Sequence, residues 1–375
     1  MGARHEAPRF ELAEIVRAHR ASLEDAVSLS AAQRRVLTDV AQCRTAVLGG
    51  HLDVCDNCGH ERPSYNSCRN RHCPKCQALA QERWIEQQQQ RLLDAPHFHV
   101  VFTLPSELRR LARFAPKVLF DLLFRCAGAT LSAFGRRRLD AQLGATLVLH
   151  TWTKELLFHP HVHAIVSAGG LRQDGTWVPA AQRFLFSVKA MSRVFRGKMR
   201  AALCEAYDAS AFLGFDDFAD PEGFDRLSRE LARKDWYVYA KRSFSRAKYV
   251  VEYLGRYTHR VGLSNSRLLA VSDSRIVIRT RGDGRAAMAP VELLRRFAQH
   301  VLPGRFHKIR HIGLYASKQA RARVRLPVVA DSVPLLGYRE RLLLLTGRDI
   351  ARCPCCGGCV VSRPLPPARA PPPCC

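Results

Sequence analysis

The segment CDNCGHERPSYNSCRNRHCPKC, residues 55–76, constrains this chain more than any other stretch. Cys55 and Cys58 form one Cys-x2-Cys knuckle and Cys73 and Cys76 a second, with fourteen residues between Cys58 and Cys73. Four thiolates presented in this way suit the corners of a tetrahedron. The spacing therefore predicts a structural zinc ribbon closed by Cys55, Cys58, Cys73 and Cys76. Gly59 after the first pair and Pro74 inside the second fit tight knuckle turns. Cys68, His60 and His72 are surplus donors, each able to replace a ligand or to support one. A closed four-ligand site keeps no open position, so its expected work is folding and binding. A second group, CPCCGGC at 353–359, has too little sequence around it to close a site alone. It either borrows ligands, binds metal weakly or is incidental.

The chain is also strongly basic. Lys plus Arg number 59 against 33 Asp plus Glu, a formal charge of +26 over 375 residues. Such an excess attracts polyanions, nucleic acid first. Arg62, Arg69, Arg71 and Lys75, among the cysteines, are placed to touch phosphates. An anionic membrane surface is the weaker alternative, because no run of 18 apolar residues exists and the start, MGARHEAPRF, is not a signal peptide. Fourteen cysteines in dense groups indicate metal binding in a reducing compartment rather than disulfides. The expectation is a soluble, non-secreted cytoplasmic protein with no membrane partner.

Residues 10–48 read as helical, with Ser30 an N-cap. HVVFTLP (99–105), ATLVLHTW (145–152), HVHAIVSA (161–168) and DWYVYAKR (235–242) read as strands, and Gly169-Gly170 is expected to end the third. Helical patterns occupy about 107–139, 187–207, 221–234, 245–262 and 290–301, and residues 267–284 read as a hairpin. The tail RPLPPARAPPPCC, six prolines in thirteen residues, is expected to be disordered. This order predicts an α+β fold on an antiparallel sheet, preceded by a helical and zinc-ribbon domain. The expected divisions are 1–95, helical and zinc-binding; 96–330, catalytic; and 331–375, a cysteine-rich segment and tail.

Two constellations suggest chemistry. In HPHVHAIVSAGG (159–170), alternate strand positions send His161 and His163 to one face and Val162 to the other. His150, on the neighbouring strand, could reach the same point, and three imidazoles there suit a divalent cation. In EYLGRYTHR (252–260), Tyr253 and Tyr257 are four apart and would share one helical face, extended by Tyr249. Lys248, Arg256, His259 and Arg260 surround these phenols with positive charge, which favours phenolate over phenol.

His-hydrophobic-His on a strand, followed by a helical Tyr-x3-Tyr, resembles the HUH single-strand endonuclease superfamily. With CRNRHCPKC before it and YLGRYTHRVGLSN after it, the chain is similar from about residue 20 to 325 to the two-tyrosine rolling-circle transposases of bacterial insertion sequences. The resemblance implies a palm-like sheet similar to an RNA-recognition fold, with flanking helices and a metal at its centre. It implies that His161 and His163 are ligands to Mg²⁺ or Mn²⁺, with His150 chosen as the third and His259 in reserve. It makes Tyr253 and Tyr257 the nucleophiles, leaving Tyr249 to packing. The implied partner is single-stranded DNA at transposon ends and target, cleaved and rejoined through a 5′-phosphotyrosine without a nucleotide cofactor. Trp84, Trp152 and Trp177 are candidates to stack unpaired bases. Two rivals leave these motifs without that chemistry: a non-catalytic zinc-dependent DNA-binding regulator, and a metal-dependent hydrolase with water as nucleophile.

Overall fold

A computed structural model describes residues 8–76, 78–93, 95–180, 186–220, 222–244, 255, 262–324 and 336–368. Its helices are α1 (Leu12–Ala26), α2 (Ala31–Gln42), α3 (Ala78–Arg91), α4 (Arg109–Phe114), α5 (Pro116–Leu139), α6 (Val188–Asp208), α7 (Gly223–Arg233), α8 (Pro290–Ala298), α9 (Lys318–Ala322) and α10 (Tyr338–Thr346). Its strands are β1 (Gly50–Cys55), β2 (Glu61–Tyr65), β3 (His97–Thr103), β4 (Gln142–Trp152), β5 (Phe158–Leu171), β6 (Trp177–Pro179), β7 (Val238–Phe244), β8 (Leu268–Val271), β9 (Ile276–Arg279), β10 (Arg285–Met288), β11 (Ile309–Gly313) and β12 (Val360–Leu365). The fold is α+β, as the order of sequence patterns predicts.

The main sheet runs β11-β4-β5-β3-β7, and every neighbouring pair is antiparallel. The period of two along each strand sorts its side chains. Phe98, Val100 and Phe102 of β3, Leu147 and Leu149 of β4, and Val162, Ala164 and Val166 of β5 enter one core with α5 and α6. Phe195 of α6 packs between Phe102 and Trp236, with ring centroids 5.0 and 5.4 Å away. Emptying that position to alanine would cost about 3–5 kcal/mol. Helix α5 is long and apolar enough to cross a membrane, but 67% of its most apolar window is buried inside the protein. Its apolar surface is satisfied by the sheet.

The opposite face carries His97 and His99 of β3, and His161, His163 and Ile165 of β5. Tyr315, Trp84 and Ile85 cover part of it in a smaller core. β5 does not stop at the glycine pair, as the sequence suggests. It continues to Leu171 and takes β6 as a partner, with Gly169 opposite Pro179 and Leu171 opposite Trp177. Gly169 has φ +156°, and a Cβ there would meet the Trp177 ring at 2.6 Å. The glycine admits the indole rather than breaking the strand.

Helix α2 begins as its sequence indicates. The Ser30 hydroxyl accepts from the Gln33 amide, while the Gln33 side chain accepts from the Ser30 amide at 2.8 Å. This reciprocal cap satisfies two helix-terminal donors. α1 and α2 then bury Leu12, Ile15, Val16 and Leu37 in a core shared with Ile276, Ile278, Leu293 and Phe297. That core crosses the expected boundary at residue 95. The hairpin over 267–284 gains a third strand, in the order β10-β9-β8. The C-terminal segment is likewise joined to the start of the chain, because β12 pairs with β1 in the sheet β12-β1-β2. Arg363, Pro364 and Leu365 are in that ladder, so the proline-rich tail is ordered at its beginning.

Candidate active site

Strands β4 and β5 bring three imidazoles to one point. His150 stands directly opposite His161, and Val148 opposite His163. One ring nitrogen from each of His150, His161 and His163 lies within 4.8 Å of the others. His161 Nε2 and His163 Nε2 are 3.0 Å apart. Two donors about 2.1 Å from one octahedral ion, at a right angle, are separated by about 3.0 Å. The pair therefore has the spacing of adjacent ligands on one cation.

Hydrogen bonds orient these rings. His161 Nδ1–H donates to the His159 carbonyl at 2.7 Å, which leaves the Nε2 lone pair facing His163. His163 Nδ1 lies 2.7 Å from His99 Nε2, and the two rings stack with centroids 4.9 Å apart. With the shared proton on His163 Nδ1, the Nε2 lone pairs of His161 and His163 converge on a common point. Burial pushes the His161 and His99 imidazoles down to about 4, and holds His150 and His163 well below the usual imidazole value. All four are thus neutral near pH 7, the state in which imidazole binds metal. Three nitrogen donors rank a first-row transition ion above Mg²⁺.

The imidazoles floor a cavity of about 250 Å³ lined also by Trp152, Thr153, Lys154 and His159. No carboxylate lines it among the described residues, so a bound cation would keep its full charge toward an anionic ligand. Trp152 stacks on His150 with centroids 4.7 Å apart. The chain at Gly262, φ +44°, passes directly over this indole, where a Cβ would lie 2.9 Å from the Trp152 ring. Arg267 ties the wall together by donating to the Gly262 and Lys154 carbonyls. His300 braces the same turn, donating from Nε2 to the Leu156 carbonyl at 3.0 Å.

Tyr253, Tyr257, Tyr249, Lys248, Arg256, His259 and Arg260 lie outside the described residues, as does the helix expected over 245–262 apart from Gly255 and Gly262. Gly255, between the two expected nucleophiles in sequence, packs on α3, where a Cβ would meet Ile85 at 2.5 Å. Of the tryptophans, Trp84 is buried, Trp152 lines the cavity and Trp177 covers Gly169. Of the cations near the cysteines, Arg69 is exposed. Arg71 donates to the Phe306 carbonyl at 2.7 Å, Arg62 to Asp53 at 3.0 Å, and Lys75 pairs with Glu11. Three of the four are therefore occupied within the fold.

The single ribbon expected from Cys55, Cys58, Cys73 and Cys76 is not formed. The two pairs belong to different clusters: Cys43, Cys68, Cys73 and Cys76 in one, and Cys55, Cys58, Cys353 and Cys356 in the other. In the first, Cys76 Sγ is 3.2 Å from Cys43 Sγ and 3.5 Å from Cys68 Sγ. A disulfide is about 2.05 Å, and two sulfurs on one tetrahedral zinc are about 3.8 Å apart. The distances fall toward the second value. Sulfurs this close compete for protons: contact with Cys68 holds Cys43 down at about 7, and contact with Cys43 lowers Cys76 while raising Cys73. A zinc ion would stabilise all four as thiolates. Cys43 was hidden because it caps α2 outside any Cys-x2-Cys spacing. His99 carried a signal that could have found it, because His97-x-His99 repeats on β3 the alternation that singles out His161 and His163 on β5.

Comparison with known proteins agrees with this architecture. The family described as "Transposase zinc-binding domain" (Zn_Tnp_IS91) matches residues 15–104, and that described as "Putative transposase" (Y2_Tnp) matches residues 144–323. A protein named "Putative transposase y4qJ" from Sinorhizobium fredii is 40% identical over 350 residues, 88% of each chain. The "Transposase for insertion sequence element IS801" from Pseudomonas savastanoi pv. phaseolicola is 29% identical over 343 residues, 87% of this chain and 82% of its own. No solved structure matches the chain. On these matches the chain belongs to the Y2 transposase family of IS91-type insertion sequences.

Proposed function

We propose that this protein is a transposase that cleaves and rejoins single-stranded DNA at transposon ends and target through a 5′-phosphotyrosine. The observation that carries the reading is the convergence of His150, His161 and His163 on one face of β4 and β5, at the floor of a cavity that no carboxylate lines among the described residues. A Mn²⁺ or Mg²⁺ ion held there would supply Lewis-acid polarisation of the scissile phosphate. Tyr253 or Tyr257 supplies the nucleophile. Its oxygen forms the bond to phosphorus as the bond from phosphorus to the 3′-oxygen breaks; the phenol gives its proton to water, and the 3′-oxygen takes one from water to depart as a hydroxyl. The phosphotyrosine conserves the energy of the broken linkage, so rejoining requires no nucleotide. Two tyrosines let one strand remain held while the second is opened.

Strand recognition falls to the surroundings. Lys154 at the cavity and Lys248, Arg256 and Arg260 beside the tyrosines in sequence offer phosphate contacts. Tyr239 of β7 stands in register with Val101, and Val101 with His163, so its half-exposed ring shares the sheet face with the imidazoles. A base stacked there would sit two strands from the metal position.

The test uses the full chain with single-stranded transposon-end DNA and Mn²⁺. A protein–DNA adduct that survives denaturing electrophoresis and maps by mass to Tyr253 or Tyr257 is expected. The double change Tyr253→Phe, Tyr257→Phe should bind the oligonucleotide and yield no adduct. Undiminished adduct from that variant overturns the assignment, while free ends without adduct point to water as nucleophile. Binding without any cut would leave a non-catalytic zinc-dependent regulator.

A further inference from the structure

The C-terminal cysteines belong to neither the imidazole site nor the matched zinc-binding region, residues 15–104. They nevertheless meet its first knuckle. Cys55 Sγ lies 3.5 Å from Cys356 Sγ, and Cys58 Sγ lies 3.6 Å from Cys353 Sγ. All four sulfurs are within 4.8 Å of one another, as a tetrahedral zinc requires.

The two knuckles share one backbone design. The Cys55 amide donates to the His60 carbonyl at 3.0 Å, and the Gly59 amide donates to the Cys55 carbonyl at 3.1 Å. In the same relation, the Cys353 amide donates to the Gly358 carbonyl at 2.9 Å, and the Gly357 amide donates to the Cys353 carbonyl at 3.0 Å. Gly59 and Gly357 both turn with left-handed φ, +68° and +73°, which favours glycine. The repeated Cys-x2-Cys-Gly is thus the same turn made twice, each aiming two sulfurs at a common centre. At Gly358 a Cβ would lie 2.9 Å from Asn57 and 3.1 Å from Cys55 Sγ, so a side chain there would hold the knuckles apart.

The strands behind the knuckles are locked as well. Buried Asp53 of β1 accepts from Ser362 of β12 at 2.5 Å and from Arg62 of β2 at 3.0 Å. Cys55 ends β1 opposite Val360, which begins β12.

We propose that Cys55, Cys58, Cys353 and Cys356 bind a second structural zinc ion, separate from one held by Cys43, Cys68, Cys73 and Cys76. It makes a ribbon from the two ends of the chain and joins residues 295 positions apart. The main sheet lies inside that loop, so the ion fastens the C-terminal segment over the N-terminal region. Closing so long a loop is entropically costly, and metal binding offsets that cost. The proposal stands independently of the DNA chemistry above.

Zinc per chain, measured by elemental analysis on the full-length protein, tests it. The double change Cys353→Ser, Cys356→Ser is expected to lose one zinc relative to the unaltered chain, and Cys355→Ser none. In the unaltered chain, Co²⁺ substitution should reach the tetrathiolate absorption of two sites, a readout that survives if the variants misfold. An unchanged zinc count in the double variant, saturation at one tetrathiolate site, or a disulfide at Cys353 in the natively purified protein would overturn the proposal. The Tyr253→Phe, Tyr257→Phe chain should carry the full zinc complement, so a failure of strand cleavage leaves this count untouched.

Discussion

His99 Nε2 lies 2.7 Å from His163 Nδ1, across the β3–β5 ladder and with the two rings stacked. The contact sets which nitrogen of His163 is available at the cavity. A ring held by a neighbour at one nitrogen presents the other in a fixed direction. His99 is therefore a positioning residue for the proposed cation.

Replacing it removes that control while leaving His150, His161 and His163 in place. The change His99→Leu should raise the Mn²⁺ concentration needed for half-maximal cleavage about 10–100-fold. Oligonucleotide binding without metal should be unchanged. A loss of thermal stability with no shift in the Mn²⁺ requirement would reduce His99 to a packing residue.

Lys308 offers a separate test, outside the site. Its ammonium is fully buried, and no hydrogen-bond partner for Nζ occurs among the described residues. Burial first, and then the charge of Arg71, lower it from the usual 10.5 to about 7. Between those values the unfolded chain binds the proton and the folded chain does not, so stability should rise with pH across that window. Lys308→Met should abolish the rise and stabilise the protein at pH 7 by about 2–4 kcal/mol. Urea unfolding midpoints from pH 7 to 10, compared between the two proteins, measure both effects. A slope that persists in the variant would assign the titration elsewhere.

The basic residues among the cysteines should separate by their contacts. Exposed Arg69 is available to phosphate, whereas Arg71 is half-buried and donates to the Phe306 carbonyl at 2.7 Å. Arg69→Ala should weaken DNA binding evenly across sequences and reduce the salt slope by about 1. Arg71→Ala should instead lower the melting temperature, by an amount equivalent to about 1–3 kcal/mol for a lost charged hydrogen bond. Equal salt slopes for Arg69→Ala and the unaltered protein would remove that residue from the interface.

Much of this architecture is local information. Short apolar runs rich in β-branched and aromatic residues are enough to indicate β3, β4 and β5, and side chains on a strand point to opposite faces in turn. For the same reason HPHVH by itself places His161 and His163 on one side, whatever the strand pairs with. Ser30 and Gln33 mark the start of α2 through contacts that span three residues, and each Cys-x2-Cys marks a turn that can offer two sulfurs to a metal.

Partnership between such units is not local, and only the tertiary structure decides it. The sequence spacing favours the nearest knuckle, Cys73 and Cys76, as the partner of Cys55 and Cys58. The β1–β12 ladder instead brings Cys353 and Cys356 to them, while the end of α2 delivers Cys43 to the other cluster. Strand register likewise sets His150 opposite His161 and carries His99 to His163. A turn forms from torsions within a few residues, whereas a four-ligand site forms wherever packing brings its halves together. Short-range patterns name the halves, and the folded chain chooses which of them meet.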